Sequence, residues 1–219
     1  MKKRLLIVGS GNVAGYIVNN LSLFKESFSL IGFVDIDERR YNKLYWGYRV
    51  YPMDLLNTLK GELSVAIAIS KPFIKEKVYN ELNLFNSSKN GLYIEFPNFI
   101  PKNCWISEKV RIGSGIICYP GVSINYEAEI GNFVTINMNC AIGHNCHIED
   151  FSSLAPGINL AGFTFIEKGV EIGIGSCTRQ NVRIGANAVV GGQSMVISDV
   201  PSDVTVAGIP AHILHKNKT

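Results

Sequence analysis

The clearest periodicity in this chain has a spacing of six. Over residues 98–199 the third residue of each successive six is Ile, Leu or Val in fifteen of seventeen units. The two exceptions, Cys118 and Thr178, are small. An amphipathic helix repeats every ~3.6 residues and a half-buried strand every ~2, so a strict six over this length is neither alone. It predicts a β-solenoid, in which one short strand and one turn recur and the aliphatic third residue points inward. Three units close one triangular coil, and the run gives between five and six coils. Pro201 ends the pattern, and residues 204–214 are expected to leave the last coil and cover its open end.

Residues 1–96 have a different texture. Residues 4–8 form a short apolar run, followed by the turn Gly9-Ser10-Gly11-Asn12 and then by Val13, Ile17, Val18 and Leu21 at helical spacing. Residues 29–34 predict a second buried strand that ends at Asp35-Ile36-Asp37. A short helix is expected over 53–59, a third strand over 63–69, a helix over 73–85 opened by Lys71-Pro72, and a fourth strand over 92–96. Strands alternating with helices imply βαβ units and a parallel sheet. The fold class is therefore mixed: a small, truncated Rossmann-like domain at 1–96, then the solenoid at 97–219. Pro97 and Pro101 flank the boundary, and no linker rich in Gly, Ser or charge separates the two parts, which are expected to pack closely.

Composition narrows the function classes. The chain has 219 residues, 47% hydrophobic and 18% charged, with a net charge of +3. The charge surplus is small and scattered, its dense runs lying at the termini, so a nucleic-acid partner is not expected. Lys2-Lys3-Arg4 followed by Leu5-Leu6-Ile7-Val8 imitates a secretory signal, but the apolar run stops at Gly9, short of the length such a signal needs. No stretch has the length of apolar sequence a membrane span requires. Cys104, Cys140 and Cys146, three of five cysteines, take the first place of their units, where small inward residues belong. Reduced core thiols in a cytoplasmic protein are the expectation.

The recurrent pairs Ile112-Gly113, Ile130-Gly131, Ile142-Gly143, Ile172-Gly173, Ile184-Gly185 and Val190-Gly191 resemble those of the hexapeptide-repeat acyltransferases. The small βαβ domain, the uninterrupted coils and the ending Ala207-Gly208-Ile209-Pro210-Ala211 are similar to the sialic acid O-acetyltransferase and bacillosamine N-acetyltransferase (PglD-like) group. The resemblance implies a left-handed parallel β-helix and a cytoplasmic homotrimer with active sites between chains. It also implies transfer of an acyl group, acetyl above all, from coenzyme A to the amino or hydroxyl group of a sugar, nucleotide-linked, in surface polysaccharide or glycan synthesis.

Acyl transfer from a thioester needs a base for the acceptor and a donor for the nascent oxyanion. His144, at the fifth place of its unit, is positioned to leave its turn and face a neighbour, and the resemblance makes it the general base, followed by Asn145. Relatives often carry Glu or Asp at that next place; Asn145 orients a ring without adding charge, and Glu149 or Asp150 is the candidate substitute. A second family histidine corresponds to Ser153. The resemblance assigns the Gly162 amide to the oxyanion, and Ile174 and Gly192 to the pantetheine of coenzyme A. It assigns Gly11, Asn12, Val13, Asp35, Asp37 and Ser70 to the acceptor's nucleotide. His147 is expected to be a solvent-facing structural residue. With His212 and His215 in the tail, the coils offer two histidines where a β-helical zinc site needs three, so no metal is expected. Two other readings stay open: a trimeric scaffold without activity, suggested by Asn145 and Ser153, and a nicotinamide-dependent oxidoreductase, suggested by the loop Gly9-Ser10-Gly11-Asn12-Val13-Ala14-Gly15.

Overall fold

The computed structural model describes residues 2–87 and 91–217. Two compact units emerge, Met1–Ser70 with Ile74–Phe99, and Lys71–Phe73 with Ile100–Thr219.

The first unit is built on a six-stranded sheet of β1 (Lys3–Val8), β2 (Phe28–Val34), β3 (Leu44–Tyr45), β4 (Tyr48–Tyr51), β5 (Gly61–Ile67) and β6 (Leu92–Glu95), in the order β3-β4-β2-β1-β5-β6. All neighbours run parallel except β3 and β4, which form an antiparallel hairpin. Leu5, Leu6, Ile7 and Val8 are fully buried, as a central strand covered on both faces demands. Helices α1 (Asn12–Asn19) and α2 (Pro72–Ser87) alternate with the strands. Gly15 on α1 is required by close approach, because a Cβ there would lie 2.4 Å from the Trp46 ring. The helix expected over 53–59 is a 3-10 helix, Met53–Thr58, entered through Pro52. The hairpin of β3 and β4 was not expected. Its turn, Trp46-Gly47, holds both residues in the left-handed region (φ 47° and 82°), which matches the right-handed twist of its strands.

The second unit is a three-sided parallel β-helix. Sixteen two-residue strands, β7 (Trp105–Ile106) through β22 (Met195–Val196), deal themselves in turn onto a first, second and third flank. Each strand pairs in register with the strand one coil on, as in Ser123 with Ala141 and Ile124 with Ile142 on the first flank. The third-place side chains stack into the core, where Ile136, Ile148, Ile166 and Ile184 are all fully buried. Each such burial contributes roughly 1.5–3 kcal/mol. Cys140 and Cys146 are buried at first places as their small size predicts, and burial pushes both thiols up from their ordinary pKa. Thr178 fills its third place by pairing its hydroxyl with Thr164 Oγ1 at 2.8 Å and by accepting from Ala161 N at 3.1 Å.

Over 115–193 every sixth-place residue has a positive φ, whether glycine, asparagine or a bulkier side chain such as Phe151. This left-handed residue closes each turn and sets the direction of the side chains around it. The tail departs from expectation. β23 (Val204–Gly208) stays on the third flank beside Val189–Val190 and sends Val204 and Val206 into the core. β24 (Ala211–Lys216) then folds back antiparallel along its edge. Alternating valines give the chain one more inward-facing strand, which explains why it does not depart at Pro201.

Candidate active site

The corner between the first and second flanks carries His144. Because coils stack in register, residues one coil apart form columns, and Tyr126, His144 and Gly162 make one of them. The turns are stitched together by Asn145 N donating to Tyr126 O (3.1 Å) and Phe163 N donating to His144 O (3.0 Å). The half-buried imidazole lies parallel to the Tyr126 ring (centroids 5.3 Å, 9°) and meets the Phe163 ring edge-on (5.1 Å, 90°). On its other side it covers Gly162. A Cβ on Gly162 would sit 2.7 Å from both Cε1 and Nε2 of His144, so any side chain there would have to displace the ring. Gly162 has no need of glycine's backbone freedom; its missing side chain is what the ring uses.

One hydrogen bond holds the ring, and a second holds the amide behind it. His144 Nδ1 lies 3.0 Å from Asn145 Oδ1, and Asn145 Nδ2 donates to Glu127 Oε2 at 2.8 Å. Glu127 stands one coil below Asn145, in the same column. The acids named from sequence as substitutes are engaged elsewhere. Glu149 accepts from Lys168 N (2.9 Å), and Asp150 accepts from Asn132 N (2.6 Å) and Asn132 Nδ2 (3.2 and 3.3 Å). Neither reaches the imidazole because both belong to the corner between the second and third flanks.

The remaining solenoid residues sort by corner and flank. Ile174 and Gly192 meet at the corner between the third and first flanks, one coil apart; a Cβ on Gly192 would lie 3.2 Å from Ile174 Cγ2. Between that corner and His144 runs the first flank, with a groove of about 350 Å³ lined by Gly143, Ala161, Cys177 and Thr178 among others. Ser153 is on the third flank, paired with Thr135 and Glu171. Within one chain, then, His144, Asn145 and Gly162 come together, Ile174 and Gly192 form a second group across the groove, and Ser153 joins neither. His147 points out from the second flank, stacked on Phe165 (4.6 Å, 3°), with Nδ1 3.6 Å from Glu129.

A second cavity, of about 300 Å³, opens in the first unit at the carboxyl ends of β1, β2 and β5, where ligands bind in open α/β sheets. It gathers all six sequence-predicted residues: Gly11, Asn12, Val13, Asp35, Asp37 and Ser70. The buried Asp35 carboxylate already holds the loop. Oδ2 accepts from Ser10 N (2.8 Å) and Ser10 Oγ (2.6 Å), and Oδ1 accepts from Asp37 N (3.0 Å). Asp37 is held by Arg39 through Nε (2.8 Å) and Nη2 (3.0 Å), and the Arg39 bonds lower its pKa to about 2. The residue that sequence reasoning missed is Arg40. Its Nη1 donates to Ser10 Oγ at 3.0 Å, which brings a guanidinium to the cavity wall. Among the described residues no helix is long and apolar enough to cross a membrane.

Comparison with known proteins identifies the family. Residues 4–82 match the family model of the PglD N-terminal domain. The chain is 32% identical over 166 residues to the GDP-perosamine N-acetyltransferase of Escherichia coli O157:H7, covering 74% of this chain and 71% of that one. The chain belongs to the PglD-like, hexapeptide-repeat sugar acetyltransferases. It is an enzyme, a sugar acetyltransferase of a family that uses acetyl-CoA. Among solved structures, PerB from Caulobacter crescentus in complex with CoA and GDP-perosamine is similar at 27% identity, with a TM-score of 0.85 over 96% of this chain and 97% of that one. WeeI from Acinetobacter baumannii AYE is similar at 27% identity, with a TM-score of 0.81 over 97% and 100%. As in these PglD-like relatives, an α/β unit precedes the left-handed β-helix.

Proposed function

We propose that this PglD-like enzyme transfers the acetyl group of acetyl-CoA to the amine of a nucleotide-linked amino sugar, with His144 as general base. The carrying observation is the imidazole held over Gly162. Asn145 Oδ1 can only accept, so Nδ1 carries the proton and Nε2 keeps its lone pair for the acceptor. As the amine attacks the thioester carbonyl, the new C–N bond forms and its proton passes to Nε2. Collapse breaks the C–S bond, and the proton leaves with the thiolate as free coenzyme A. Among the described residues the Gly162 N–H has no protein acceptor, and a buried N–H without a partner costs about 1–3 kcal/mol. An oxyanion beside Nε2 would accept from this N–H, a bond that strengthens as charge develops in the transition state.

The donor's pantetheine would follow the first-flank groove from Gly162 to Ile174 and Gly192, with Ser153 contributed from a neighbouring chain of a homotrimer. The acceptor's nucleotide belongs in the first-unit cavity, where the backbone amides of Gly11, Asn12 and Val13 open α1 and Arg40 adds positive charge. Asp35 shapes this loop, and Asp37 and Ser70 line its rim. A GDP-linked amino sugar is the first acceptor to try, given the E. coli relative, in a cytoplasmic step of glycan synthesis.

The test is acetyl transfer from acetyl-CoA to a panel of nucleotide-linked amino sugars, the same sugars without nucleotide, and nucleotide-linked neutral sugars. Mass spectrometry should find an amide product that survives hydroxylamine, made fastest on the nucleotide-linked amines. Transfer confined to hydroxyl groups, or indifferent to the nucleotide, would overturn the proposal.

A further inference from the structure

The structure assigns to Glu127 the role of a positioning residue that supplies, through Asn145, the negative charge and the proton pattern His144 needs. This rests on the reading of His144 as the base.

The argument turns on which way the Asn145 amide faces. A carboxylate accepts hydrogen bonds and cannot donate them. Glu127 Oε2, 2.8 Å from Asn145 Nδ2, therefore claims the NH₂ end and turns the Oδ1 end toward His144. Oδ1 in turn requires a donor, which fixes the proton on Nδ1 of the ring, 3.0 Å away. Without an acceptor-only group behind it, the amide could reverse and present NH₂ to Nδ1, which would move the ring proton to Nε2 and block the base. Glu127 also places a negative charge behind the imidazolium formed during catalysis, relayed by a polarised amide. The arrangement follows from the coil repeat: Glu127 and Asn145 are both sixth-place residues with nearly the same φ (55° and 56°), one coil apart, so their side chains meet along the column. Glu149 and Asp150 cannot act in its place, being held at another corner.

A merely structural Glu127 and a relay differ in one decisive respect: a relay can be rebuilt with its parts exchanged. In Glu127→Gln the hydrogen bond survives but the amide orientation is no longer enforced and the charge is gone. kcat should fall by about 10-fold to 100-fold, the loss of a charge-assisted bond acting at the transition state, with the KM of acetyl-CoA unchanged. Combining Glu127→Gln with Asn145→Asp puts a carboxylate directly against Nδ1 and an amide behind it. The double variant should recover to within about 3-fold of the parent, because the charge and the enforced Nδ1 proton are both restored. Nitrogen-15 NMR of the histidine ring reads the same claim without turnover: the parent should show the Nδ1–H form, and Glu127→Gln a mixture. The relay is overturned if the parent ring carries its proton on Nε2, if Glu127→Gln and Glu127→Ala both keep parental kcat, or if the double variant is no faster than Glu127→Gln. Full activity in His144→Ala would instead remove the base assignment, and the ring spectrum would still judge the relay.

Discussion

Gly162→Ala perturbs the site by a single methyl group. The added Cβ would lie 2.7 Å from Cε1 and Nε2 of His144 and 3.2 Å from Cδ2. Comfortable contact to such atoms is about 3.5 Å or more, so the ring must retreat by roughly 0.8 Å. It cannot retreat freely, since Tyr126 lies behind it and Asn145 holds Nδ1. A displacement of about 1 Å at a reacting atom costs on the order of 10²-fold, or about 2.7 kcal/mol in the barrier. The backbone pays nothing, because Gly162 is outside the left-handed region, and Gly→Ala at a compatible site typically stabilises by about 0.4–1 kcal/mol. The expected signature is therefore a kcat lower by about two orders of magnitude with an unchanged or slightly raised melting temperature. The assay is CoA release, quantified by chromatography so that the protein's own thiols do not interfere. Turnover within about 2-fold of the parent would refute the placement of the imidazole over Gly162 as the working geometry.

Arg40→Ala should raise the KM of the nucleotide-linked acceptor by about 10-fold, the loss of one hydrogen bond to a charged group, and leave that of acetyl-CoA unchanged. Equal acceptor KM values in steady-state kinetics would remove Arg40 from the nucleotide site. Thr178→Val keeps the shape of an inward third-place residue but strands Ala161 N and weakens the Thr164 hydroxyl pair. It should cost about 1–3 kcal/mol in chemical denaturation, and a variant as stable as the parent would show that a bond to Thr178 is not needed there.

The solenoid was legible because its periodicity is imposed by packing. A residue that faces the core in one coil faces it in every coil, so Ile124, Ile142 and Leu160 announce themselves without reference to anything else. The same register placed His144 at a turn and Gly162 one coil on. Glu127 was equally present in that frame, one coil before Asn145, yet an exposed acid at a turn looks like any solvated charge until the column it belongs to is considered. Counting along columns as well as along the chain would have found it. Arg40 was hidden for a related reason: Glu38-Arg39-Arg40 looks like a surface run, and the side chain of Arg39 is indeed 88% exposed while that of Arg40, at 35%, turns toward Ser10. The β3–β4 hairpin escaped because its strands are two and four residues long and Trp46-Gly47 lacks the usual Asn-Gly signal. Ser153 marks the limit of one chain: paired with Thr135 and Glu171, it occupies a flank away from His144.

The central claim is that His144 removes the acceptor's proton. Its most direct measurement is kcat for His144→Ala, with acetyl-CoA and a nucleotide-linked amino sugar at saturation, on protein whose melting temperature matches the parent. A positioned base contributes on the order of 10²–10⁴ in rate, so turnover should fall by that factor while the KM of acetyl-CoA holds. A folded His144→Ala enzyme that turns over at nearly the parental rate would contradict the account.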